Sequence, residues 1–183
     1  MQIKAEEFLP LVEKAGAIAF LDIEASNLKA DFGTVVVVSI KPYKEKPVTF
    51  TARPGRDKQL LRDVATELAK YQVWVTFYGK MFDVPFINSR MLVNGLPPLD
   101  KKHHVDMYWV IKCQTALSRR NQAHLLEWLG TPEKKMSVSS NTWAELADKP
   151  ANLAVLAERC ESDVTGLEAM YDKCKHLIRE ITR

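Results

Sequence analysis

The chain has 183 residues, of which 46% are hydrophobic, 9% aromatic and 27% charged. That composition supports one domain with an ordinary core and excludes a disordered or low-complexity polypeptide. The net charge of +3 is too small to mark a polyanion-binding protein by itself, and three dispersed cysteines without a C-x-x-C pair argue against a disulfide or zinc framework.

In chain order, residues 5–14 read as a short helix ahead of three closely spaced strands. The first is 17–23, following Gly16 with the apolar run Ala17-Ile18-Ala19-Phe20-Leu21. The second, Thr34 to Ile40, contains Val35-Val36-Val37-Val38, a β-branched density expected of a strand buried on both faces. The third runs from Val48 to Ala52, and turn residues separate the three at Asp31-Phe32-Gly33 and Pro42-Tyr43-Lys44. Asp57 has the character of an N-cap for a helix to about Lys70, with Leu60, Leu61, Val64 and Leu68 at helical spacing. A further strand covers 73–78 and ends at Gly79. The helix after it runs from about Pro85 to Val93 and is stopped by Asn94-Gly95 and Pro97-Pro98.

The second half is predicted to be helical, near 105–116, 120–129 and 142–147, with a long final helix from about Ala151 to Ile181. In that last stretch Leu153, Leu156, Cys160, Val164, Leu167, Tyr171, Cys174, Ile178 and Ile181 form an apolar stripe. The order of elements indicates an α/β fold, and no repeat or linker divides residues 1–183. Cys113, Cys160 and Cys174 read as small buried hydrophobes in a reducing compartment. The N-terminus shows no apolar leader and no stretch reaches membrane-spanning length, so an intracellular, cytoplasmic protein that does not enter membranes is expected.

Acidic residues in three contexts carry the chemistry. Asp22 and Glu24 lie two apart at the end of the first strand, so their side chains share a face. Two carboxylates side by side repel unless a cation lies between them, which suggests a hard-metal site; a charged strand end meeting solvent is the plain alternative. Asp83 follows a strand and precedes a helix, with Pro85 suited to that helix's first turn. Asp163 borders the apolar stripe of the final helix, where an acidic group needs a partner or a metal. Between Lys101 and Lys135, seven Lys and Arg stand against three acids, a surplus of four. Such a local basic surface suits a polyanion, or is a solvated helix face, and His103 and His104 would extend it.

Three motifs, Phe20-Leu21-Asp22-Ile23-Glu24, Tyr78-Gly79-Lys80-Met81-Phe82-Asp83-Val84-Pro85-Phe86 and Cys160-Glu161-Ser162-Asp163-Val164, occur in that order. Together they resemble the DEDD superfamily of 3′–5′ exonucleases, whose fold is ribonuclease H-like: a mixed sheet flanked by helices. The resemblance extends over about residues 17–175. Within the superfamily the chain is similar to compact, stand-alone exonucleases met in phage genomes, through Phe82 to Ile87 and through Leu126-x-x-Leu129-Gly130 to Trp143. The resemblance implies that Asp22, Glu24, Asp83 and Asp163 hold two divalent ions, magnesium or manganese. One ion would activate water and the other would stabilise the leaving oxygen of an in-line displacement. The implied substrate is the 3′ end of single-stranded DNA or RNA.

The chain departs from the family pattern at two places. Where active members place a Tyr four residues, or a His five residues, before the last Asp, this chain has Arg159 and Glu158. Arg159 stays protonated and cannot act as a base; it reads either as an i,i+4 ion pair with Asp163 or as a contact to the scissile phosphate. Glu158 is either a base or a solvated side chain. Tyr78 stands where relatives commonly carry Asn, and reads as a base-stacking aromatic or as a packed strand end. By the same resemblance Ser26, Asn27 and Leu28 would touch the terminal nucleotide, and Phe82 would stack on it or belong to the core. Arg119, Arg120 and Lys135 are candidate phosphate contacts. The rival to the exonuclease is a catalytically weak or inactive nuclease-fold module that binds nucleic acid or protein, with Arg159 taking the place of one metal.

Overall fold

The four-valine run becomes a strand that is buried throughout. In the computed structural model, which describes residues 3–146, 149 and 151–181, the strand Val35–Pro42 (β3) is buried along its whole length. It follows β1 (Ile3–Lys4), the helix α1 (Ala5–Lys14) and β2 (Ile18–Ala25). After it come β4 (Val48–Thr51), α2 (Lys58–Ala69), β5 (Val73–Thr76), α3 (Asp83–Val93), β6 (His103–Asp106) and α4 (Met107–Gln114). The chain then forms α5 (Gln122–Trp128), the short α6 (Asn141–Ala144), the long α7 (Asn152–Cys174), a 3-10 turn over Lys175–Leu177 and β7 (Glu180–Ile181).

The main sheet has the order β4-β3-β2-β5-β6. β3 is antiparallel to β2 and β4, whereas β5 is parallel to β2 and β6 parallel to β5, so the sheet is mixed. Side-chain alternation along β2 separates two cores. Ile18 and Phe20 pack with α1, α4, α5 and α7 through residues such as Leu125, Val164 and Tyr171. Ala19, Leu21 and Ile23 face α2 and α3 through Leu61, Leu68 and Ile87. Asp22 and Glu24 continue the Ile18–Phe20 face, which is the face that α7 covers. A third cluster joins Val36 and Val37 of β3 to Leu146, Leu156 and Cys160.

The structure alters several of the expectations. The expected helix over 105–116 begins only at Met107, because His103–Asp106 pairs in parallel with β5 as an edge strand. The long final helix stops at Cys174 instead of Ile181. Glu180 and Ile181 turn back to pair with Ile3 and Lys4, and Ile178 and Ile181 keep their buried places from extended backbone. The helix expected over 142–147 is the four-residue α6, and Ala147 lies outside the described residues. Cys113 is exposed, whereas Cys160 and Cys174 are buried as expected. Among the described residues no helix is long and apolar enough to cross a membrane.

Candidate functional site

The end of β2 presents its two acids toward α7, and α7 returns a third. Oxygens of Asp22, Glu24 and Asp163 all lie within 4.8 Å of one another. A register shift in the β2–β3 pairing between Glu24 and Ala25 ends the regular ladder at this point, as a bulge beside a functional site does. Asp83, at the start of α3, approaches from the neighbouring element. Its Oδ1 accepts the Ile23 backbone N–H at 3.1 Å, so the carboxylate is tied to β2 between the two strand acids.

Glu24, Asp83 and Asp163 are buried and Asp22 is half-buried, with too few donors among them. Burial, followed by the charges of Asp83 and Asp163, pushes the Asp22 carboxyl well above the ordinary carboxylate range. Burial raises Asp83 to about 7, against the pull of its backbone hydrogen bonds. Glu24 is raised by burial and held back by Arg159. Asp163 is only 2% exposed; its Oδ2 pairs with Lys135 Nζ, while its Oδ1 has no hydrogen-bond partner. A buried carboxylate oxygen without a donor carries a large desolvation cost unless a cation meets it.

Arg159 reaches past the partner that helical spacing suggests. Its Nε donates to Glu24 Oε1 at 2.6 Å, whereas its Nη2 is 3.9 Å from Asp163. The i,i+4 pair is therefore present but secondary. The other oxygen of Glu24 accepts from Trp143 Nε1 at 3.1 Å. Sequence reasoning assigned Trp143 no function; its position within the family-like stretch was the one available signal.

A cleft of about 730 Å³ opens over the carboxylates. It is lined by Ser26, Asn27 and Leu28 after β2, by Tyr78 and Phe82 after β5, by Lys135 and Trp143 of the 131–146 segment, and by Arg159 of α7. Ser26 exchanges hydrogen bonds with Thr34, and Asn27 Oδ1 accepts the Lys29 N–H, so both also build the loop that presents Leu28, which is exposed. Phe82 is half-buried against Phe86.

Tyr78 is not a packed strand end: β5 stops at Thr76 and the ring is 43% exposed. Its φ of +66° is a left-handed conformation that an aromatic residue rarely adopts. The turn that imposes this is pinned by Asp106, whose carboxylate accepts the N–H groups of Tyr78, Lys80 and Tyr108. Gly79 is required beside it, since a Cβ there would lie 2.5 Å from the Thr76 side chain.

Three predicted residues stay outside. Glu158 is exposed and lines a separate groove with Lys134 and Glu161, which removes it as a base for this cleft. Arg119 is exposed and Arg120 half-buried, and neither lines the cleft. Lys135 is the one candidate phosphate contact that does, although here it bonds Asp163. His104 does not extend a basic surface: its Nε2 is 2.8 Å from Thr76 Oγ1, and burial lowers its pKa to about 3, leaving it neutral. His103 packs edge-on against Phe8.

Residues 19–174 match the model of the RNase H superfamily, while no curated protein sequence matches the chain. Among solved structures, the family B DNA polymerase from the hyperthermophilic archaeon Pyrobaculum calidifontis superposes with a TM-score of 0.70 at 19% identity. The alignment covers 85% of this chain and 24% of that one, so the chain spans about a quarter of the polymerase's length. At that identity the likeness is one of fold.

Proposed function

The chain belongs to the RNase H superfamily and has its mixed-sheet α/β fold, and from that premise we propose that it is a metal-dependent 3′–5′ exonuclease acting on single-stranded nucleic acid. The observation that carries this reading is the convergence of Asp22, Glu24 and Asp163 oxygens within 4.8 Å at the floor of a cleft, one of them buried without a donor. The donor set fits a hard divalent cation: it is all oxygen, anionic, and short of hydrogen-bond donors. Asp22, Glu24 and Asp163 would hold the metal, with Asp83 beside Asp22 as the fourth carboxylate and magnesium or manganese as the ions. Two such ions would supply Lewis acidity for phosphodiester hydrolysis and relieve the charge that builds on its oxygens.

The rest of the work falls to the chain. The Ser26–Leu28 loop and the Tyr78–Phe82 turn both line the cleft, and their apolar groups would accept unstacked bases without reading their identity. Such contacts favour a frayed or single-stranded end over a duplex. Lys135, which pairs with Asp163 and lines the cleft, would move to a substrate phosphate. Arg159 remains on Glu24 and serves neither as base nor as a free phosphate contact.

A gel time course on 5′-labelled single-stranded DNA and RNA, with manganese, magnesium or chelator, tests the proposal. A metal-dependent ladder shortening from the 3′ end is the expected result. Intact substrate in every lane, from folded protein, rejects it. The second reading, a module that binds without cutting, draws on a specific observation: Lys135 and Arg159 already place two positive charges against Asp163 and Glu24. Calorimetric titration separates the two, because a binding-only module takes up no stoichiometric metal.

A further inference from the structure

Glu24 is gripped from both sides by groups that lie far from it in sequence. Arg159 Nε meets Oε1 at 2.6 Å and Trp143 Nε1 meets Oε2 at 3.1 Å. The two donors also hold each other, the Arg159 guanidinium lying 5.1 Å from the centre of the Trp143 ring. Arg159 has a further anchor in the Met136 carbonyl at 3.3 Å. Trp143 itself is fixed by the third core cluster, where it and Val138 pack with Leu146, Leu153, Leu156 and Cys160. The indole is therefore a rigid donor on a packed support, and the carboxylate it meets cannot rotate without breaking one bond or the other. Each oxygen of Glu24 keeps a lone pair beyond the one so used.

We propose that Trp143 is a positioning residue for the metal-holding carboxylate: its N–H, together with the Arg159 that it carries, locks Glu24 in the orientation that joins Asp22 and Asp163 around a divalent ion. The inference rests on the metal-dependent reading above and adds to it the group that sets the geometry of one ligand. A carboxylate left free to sample several rotamers loses that freedom on binding metal, whereas a locked one has already lost it on folding. Fixed outer groups of this kind are typically worth about 10- to 100-fold in metal affinity. The segment between α5 and α7, which carries no carboxylate of the cluster, thereby becomes part of the site.

Trp143→Phe keeps an aromatic ring for the core and for Arg159 while deleting the N–H and one ring of the indole, and the metal-free melting reports how much of its effect is packing. Manganese would be titrated into full-length wild type, W143F and W143A, with free Mn²⁺ followed by electron paramagnetic resonance and metal-free melting recorded alongside. W143F is expected to melt slightly below the wild type and to bind Mn²⁺ about tenfold more weakly, with W143A melting lower and binding more weakly again. Wild-type affinity in W143F would overturn the inference while leaving the metal site intact. Absence of Mn²⁺ binding in the wild type would overturn the metal reading and this inference with it. In the unmutated protein, the Trp143 indole ¹⁵N–¹H resonance should shift on adding magnesium; a resonance indifferent to saturating Mg²⁺ also counts against the role.

Discussion

Asp57 and Asp163 are buried to nearly the same depth, and the molecule treats them in opposite ways. Asp57, only 1% exposed, accepts from Val35 N, from Arg90 Nε and Nη2 and from Asn94 Nδ2, at 2.8 to 3.2 Å. Four donors and a matched cation answer its two oxygens. Asp163 is as deeply buried at 2%, yet one oxygen has no donor and its nearest neighbours include two other carboxylates. Burial alone therefore does not distinguish a structural acid from a functional one; the count of donors does. Asp57 ties the start of α2 to β3 and α3, and its chemistry is complete within the fold. The cleft acids are incomplete, and in the proposed reading a divalent ion would supply the missing charge.

The strongest way to break this contrast is to remove one acid from each place. Asp22→Ala or Asp163→Ala should lower hydrolysis by three orders of magnitude or more, roughly 4 kcal/mol of barrier and upward, with circular dichroism unchanged. Hydrolysis of DNA and RNA at the wild-type rate by such a variant would mean that the site is misassigned. Asp57→Ala should do the reverse. Stranding Arg90 and the Val35 N–H should cost about 3 kcal/mol of stability, read from urea denaturation, with activity per folded molecule retained. Near-wild-type stability in that variant would dissolve the distinction.

Lys135 tests the intermediate case, a cleft acid with one cation already supplied. Its side chain is 26% exposed, so its loss should cost less than that of a fully buried partner. Lys135→Met is expected to destabilise the metal-free protein by about 2 kcal/mol, and saturating magnesium should restore most of it. A variant equally unstable with and without magnesium would show that Lys135 and the metal do not share Asp163.

The cleft acids were legible in the sequence because they obey local periodicities. Strand alternation put Asp22 and Glu24 on one face, and the helical stripe placed Asp163 toward the sheet. What escaped was long-range. β6 has the sequence His-His-Val-Asp, with a single apolar residue, and it exists because β5 offers a parallel edge. Asp57 occupies the N-cap position as its sequence context suggests, yet makes no side-chain cap bond, because Arg90 on α3 and Asn94 just after it compete for it more effectively. Trp143 lies 119 residues from Glu24, and no spacing rule connects an indole to a carboxylate at that distance. Arg159 is an intermediate instance: the spacing finds Asp163, while the length of the side chain lets it prefer Glu24.

The gentlest test of the contrast is pH, applied to the metal-free protein. Asp83 has its folded-state pKa raised to about 7, chiefly by burial, from an unfolded value near 3.8, and Asp22 is displaced in the same direction. Between those limits the folded chain holds a proton that the unfolded chain has released. Stability contributed by the neutral acid is thus fully present below about pH 4 and is lost as pH rises through 7, with a slope of at most about 1.4 kcal/mol per pH unit for one group. A divalent ion should flatten or reverse this slope, because it favours the ionised carboxylates that bind it. Melting curves between pH 5 and 8, with chelator and with magnesium, should therefore diverge as pH increases. Parallel curves would mean that the cleft acids are as internally satisfied as Asp57, and that no cation is needed to complete them.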